Sequence, residues 1–160
     1  MVPIPWLDPK LDALDQKARQ LIHTLFPNTT QCIVLVCTRE ELIEAVKKEL
    51  RKCGMSEVIV KQQEPKLGFI CGKLFREQKE VWVVEDEGEN LDIIVHELLH
   101  NIQVCDVNRE GITDFITYKL TKNPDWIDPY TLDNWLEIER QLGFKMIKRR
   151  FLTEGDCEDL

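Results

Sequence analysis

Two absences set the first limits on this chain. No apolar stretch approaches the roughly 20 residues needed to cross a bilayer, and the opening "MVPIPWLDPK" lacks the basic-then-apolar layout of a secretion signal. The expectation is a soluble, cytoplasmic protein with no membrane partner. Positive charge is also in deficit, 21 basic residues against 29 acidic, for a formal net charge of -8. A phosphate backbone suits such a chain poorly, so no nucleic acid is expected as partner. The one basic run, "KMIKRR" at 145–150, reads as a solvated face. Six cysteines, at 32, 37, 53, 71, 105 and 157, include no CxxC pair. Neither a zinc ribbon nor the dense disulfide framework of a small secreted domain fits that spacing, and most of the cysteines are expected to be buried thiols.

What is present is enough for a core. At 160 residues and 43% hydrophobic, the chain has the size of one ordinary domain. A single domain over 1–160 is expected, ending in a mobile acidic tail at 153–160, "TEGDCEDL".

Residues 8–26 carry Leu11, Leu14, Ala18, Leu21, Ile22 and Leu25 at helical spacing, opened by Asp8 and Pro9 as cap and first turn. "CIVLVC" follows as a buried strand, and Thr38 with Glu41 forms a capping box for a helix to about Lys52, stopped at Gly54. "EVIVKQ", "LGFICGKLF" and "EVWVVED" read as strands, the last two joined through "REQK" as a hairpin. Past "DEGEN", helices are predicted from about Leu91 to Gln103, from near Asn108 towards Leu120, and from Leu132 to Leu142. This order predicts an α+β domain with a three- or four-stranded mixed sheet in the first half.

Histidine occurs only three times, yet two of the three stand four apart around a glutamate in "VHELLH". On a helix, His96 and His100 share one face and point two imidazoles at a common point, with Glu97 one residue round. That layout suits a catalytic zinc, with Glu97 free of the metal to take a proton from the attacking water. Leu91, Ile94, Val95, Leu98, Leu99 and Ile102 surround the triplet with core positions, and burying it without metal or partners would be costly.

A zinc needs a third protein ligand, and no histidine follows His100. In "NREGITDF" Asn108 is placed to cap a helix, Glu110 falls in its first turn, and Asp114 lies one turn further on the same face. The natural assignment makes Glu110 the ligand and Asp114 the acceptor of the other N–H of a bound histidine, His96. Asp106, six beyond His100, is the rival ligand, and Cys105 a more distant one. Tyr118 and Tyr130 are candidates for steadying an oxyanion or are packing residues, and His23 reads as structural. Trp6, Trp82, Trp126 and Trp135 read as core or cleft wall.

The pattern His96-Glu97-x-x-His100, followed by Glu110 and Asp114, resembles the gluzincin clan of zinc metallopeptidases. The short chain is most similar to the clan's minimal soluble members, the minigluzincins. Arg109 stands where the clan usually has asparagine before the ligand glutamate. The resemblance implies a zincin-like domain, zinc held by His96, His100 and Glu110, Glu97 as general base, and Asp114 behind a histidine. It also implies peptide-bond hydrolysis, a peptide or protein substrate, and "EVWVVED" as the cleft-edge strand. Two other functions stay open: a catalytically silent zinc protein with an interaction or regulatory role, and a zinc amidase acting on a small molecule.

Overall fold

The computed structural model describes residues 5–27, 31–87, 90–106 and 110–155. The Asp8 side chain accepts from the Lys10 amide, and Pro9 opens a 3-10 turn, Pro9–Leu11, that runs into helix α1, Asp12–Leu25. Ala18 and Ile22, one turn apart, bury its inner face. Strand β1, Ile33–Cys37, leads to Thr38, whose hydroxyl and the Glu41 carboxylate close the expected capping box at the start of helix α2, Arg39–Lys52. Gly54, at φ +85°, turns the chain away.

The segment predicted as the strand "EVIVKQ" is a helix instead, α3, Glu57–Leu67. Its β-branched residues suggested a strand, but local chemistry at both ends outweighs them. Ser56 caps the start by accepting from the Ile59 amide, and the downstream residues Gln62, Gln63 and Glu64 are good helix formers. Val60 and Leu67, seven apart, are the buried contacts, whereas Val58 and Ile59 stay exposed. Ion pairs from Lys47 to Glu64 (2.6 Å) and from Arg51 to Glu57 (2.7 Å) tie α3 to α2.

Strands β2, Gly72–Phe75, and β3, Glu80–Val84, form the expected antiparallel hairpin, and β1 lies parallel to β3. The sheet order is β1-β3-β2, so the fold is α+β with a small mixed sheet of three strands among the described residues. Alternation along the strands divides the interior. Val34, Val36, Leu74, Val81 and Val83 face the main core, and Cys37, Phe75 and Val84 face a smaller one under α2 and α3. Trp6 covers part of the outer edge of β1 by exchanging two backbone hydrogen bonds with Val36 (2.8 and 2.9 Å). Strand β2 forms the other edge.

Helix α4, Leu91–Ile102, is capped by Asn90 and packs between α1, the sheet and helix α5, Glu110–Thr121. Asn108, predicted to cap α5, lies outside the described residues. Helix α6, Pro129–Leu142, begins earlier than predicted because Asp128 caps it and Pro129 takes its first position. The run "KMIKRR" is not merely a solvated face. It belongs to helix α7, Phe144–Phe151, which buries Ile147 and Phe151 and lays the Lys148 ammonium over the Phe26 ring. The tail is also partly held, since Gly155 accepts a hydrogen bond from the Asp106 amide (2.8 Å). Residues 156–160 lie outside the described part. No helix among the described residues is long and apolar enough to cross a membrane.

Candidate metal centre

Helix α4 delivers the motif as its spacing requires. His96, Glu97 and His100 are all buried, and the Nε2 atoms of the two histidines lie 3.0 Å apart. Glu110, the first residue of α5, brings its Oε2 to 2.9 Å from each of them. His96, His100 and Glu110 form a group that could hold a metal ion. Asp106 does not belong to this group; its carbonyl oxygen accepts from Gln103 Nε2 (3.4 Å). The buried Cys105 thiol likewise faces Gln103 Nε2, at 3.1 Å.

The far side of each imidazole shows which nitrogen is bare. His100 Nδ1 lies 2.7 Å from Gln103 Oε1, an oxygen that also accepts from Thr113 Oγ1 at 3.1 Å. Because the amide nitrogen of Gln103 is directed at Cys105 and Asp106, its oxygen faces the ring. His100 therefore carries its proton on Nδ1 and leaves Nε2 as a lone pair. Asp114 Oδ1 approaches His96 Nδ1 to 3.0 Å, close but off the axis of a regular hydrogen bond, and favours the same tautomer there.

Two imidazole lone pairs and a carboxylate oxygen thus converge, an arrangement that calls for positive charge. Without a metal, a proton supplies it. Burial pushes the His96 pKa down, but Asp114, Glu110 and Glu97 outweigh burial and raise it to about 10. Burial alone would push Glu110 up, yet His100 and His96, wherever a proton on Nε2 lets them donate to it, hold it far below the usual carboxylate range. Two imidazoles and one carboxylate are also a donor set suited to a divalent transition metal.

Glu97 stands apart from this triad. Its Oε2 accepts from the Leu74 amide of β2 at 2.9 Å. With His100, Glu110, Gly72, Lys73 and Arg76 it lines a cleft of about 360 Å³. The cleft edge is accordingly β2, not the predicted "EVWVVED", because β3 is the middle strand. Gly72 permits the close approach: a Cβ there would lie 2.8 Å from Ile93 Cγ2 and 3.3 Å from Glu97 Cγ. An Arg76 guanidinium nitrogen donates to the His100 carbonyl.

Other candidates fall elsewhere. Tyr118 packs against Phe115, Tyr130 is exposed, and neither lines the cleft. His23, expected to be structural, is exposed near the end of α1. Among the tryptophans, Trp126 sets its ring against His96, with centroids 5.4 Å apart, whereas Trp135 is core. The sequence reasoning missed Gln103, Gly72 and Arg76. Only Gln103 carried a usable signal, since a polar side chain three beyond His100 shares its helix face.

No known protein family, curated protein or solved structure matches this chain.

Proposed function

We propose that the protein is a zinc-dependent metallopeptidase of the gluzincin kind, with His96, His100 and Glu110 holding the metal and Glu97 acting as general base. The observation that supports this most is the separation of roles around one cleft. Three lone-pair atoms converge within 3.0 Å, and a fourth buried group, Glu97, faces the same space without joining them. The three donor atoms lie 2.9 to 3.0 Å from one another, close enough for His96, His100 and Glu110 to hold one ion between them. A zinc ion held there would act as a Lewis acid and lower the pKa of water to about 7. Glu97 would then take the proton of the attacking water and pass it to the leaving amine. Asp114 would hold the His96 ring, and the edge of β2 that lines the cleft would offer backbone groups to an extended peptide.

The test is Glu97→Gln, which is expected to keep zinc at the parent's stoichiometry and lose peptide hydrolysis, read by metal analysis and turnover of a peptide mixture. Equal activity in variant and parent would reject the mechanism. One contact favours a second reading, a catalytically silent zinc protein: the Leu74 amide already engages Glu97. On that reading the parent binds zinc and hydrolyses nothing.

A further inference from the structure

We propose that Gln103 is a positioning residue of the metal centre, fixing His100 with Nε2 bare and aimed at Glu110. The assignment rests on the reading of His96, His100 and Glu110 as metal ligands, and it adds a residue that the His-Glu-x-x-His pattern does not contain. Gln103 is 4% exposed, and both ends of its amide are engaged. Oε1 takes the His100 ring N–H and the Thr113 hydroxyl; Nε2 reaches Cys105 Sγ and the Asp106 carbonyl.

Thr113 is fully buried and lies on α5, one turn after Glu110. One amide oxygen therefore ties the helix that supplies the histidines to the helix that supplies the glutamate. Rotating the imidazole breaks one of its bonds, and sliding α5 breaks the other. The amide is itself anchored, because the loop it reaches is clamped from behind. The Val104 and Cys105 amides donate to the Phe151 carbonyl (3.0 and 3.2 Å), and the Asp106 amide donates to that of Gly155.

The two histidines are thus backed differently, His96 by a carboxylate and His100 by a neutral amide. The difference suits the local charge. Glu97, Glu110 and Asp114 already surround the site, and a fourth carboxylate would have to be buried among them. The amide orients the ring without adding charge.

The probe is zinc alone, with dissociation constants measured by chelator competition on the full chain. Gln103→Leu keeps much of the side-chain volume and leaves the His100 N–H without its acceptor. Its affinity is expected to fall about 10- to 100-fold. Thr113→Val, which keeps the buried shape and removes only the second donor, is expected to weaken binding in the same direction by less, and it serves if Gln103→Leu does not fold. Nitrogen NMR of the zinc-free chain, under conditions where the ring is neutral, is expected to show His100 protonated at Nδ1 in the parent and a tautomer mixture in Gln103→Leu. A purely structural Gln103 would lower the melting temperature while leaving tautomer and zinc affinity unchanged, which would overturn the proposal. Failure of the parent to bind zinc would overturn the metal reading and this proposal with it, whereas parent-like binding in both variants would overturn this proposal alone.

Discussion

His96 is gripped from both ends by one helix. Glu110 Oε2 meets its Nε2 at 2.9 Å, and Asp114 Oδ1 meets its Nδ1 at 3.0 Å. The two carboxylates are four apart on α5, as the two histidines are on α4, so α5 sets one carboxylate at the converging Nε2 atoms and the other behind the His96 ring. Their expected losses differ accordingly. Glu110→Ala removes a converging donor and should abolish zinc binding as completely as His96→Ala. Asp114→Ala leaves all three donors and should weaken zinc binding by about 10- to 100-fold through a loosened ring. Asp106→Ala should bind like the parent; chelator competition on all four variants reads the order. Helical periodicity made legible which of these residues share a face of their own helix, but not that the two helices meet, which left Asp106 open as a rival to Glu110. Trp126 was not, because it reaches His96 from a 3-10 turn, Pro124–Trp126, whose direction no periodicity encodes. Arg76 was equally hidden, since its role depends on where the β2–β3 hairpin lies against the end of α4.

At the scale of elements, the decisive contact is β2 against α4. Gly72 lets the strand lie on Ile93 and brings the Leu74 amide to Glu97. Gly72→Ala must displace the buried Ile93 or the strand itself. It should lower stability by about 1–3 kcal/mol, the usual cost of overpacking. Denaturant unfolding of the zinc-free chain measures that cost, and a variant as stable as the parent would mean that the strand shifts freely. Element boundaries were legible where a cap states them, as Thr38 with Glu41 and Asp8 with Pro9 do. They failed at α3, where Val58, Ile59 and Val60 gave a strand-like run and the cap at Ser56 went unread. They failed again at α7, whose three apolar contacts, Phe144, Ile147 and Phe151, are hidden among basic residues.

At the scale of the whole molecule, helix α7 supports the loop that follows α4. Phe151 is fully buried against Phe26, with ring centroids 5.4 Å apart, and its carbonyl holds the loop that carries Cys105. Phe151→Ala should therefore cost about 3–5 kcal/mol in denaturant unfolding, as large-to-small changes at buried aromatics do. It should also weaken zinc binding, measured under conditions where the variant is still folded, because the loop anchoring Gln103 loses its support. A stability loss with parent-like zinc affinity would separate the helix from the site. The α+β class could be read from the order of apolar runs, but the strand order β1-β3-β2 could not. Three short apolar strands do not specify which two become parallel neighbours; that depends on how α2 and α3 cross between them.

The run Asp92–His100 is buried along its whole length, whereas Glu110 begins its helix with more than half of its side chain exposed. In hydrogen-exchange terms these halves belong to different regimes. Amides of α4 are therefore expected to exchange only with the whole fold, and those of the first turn of α5 by local fraying, which hydrogen exchange on the zinc-free chain measures. The histidine half of the centre would then persist without metal, and Glu110 would act as the movable jaw. An ion could be stripped and restored by local opening at α5, with the core of the protein never unfolding.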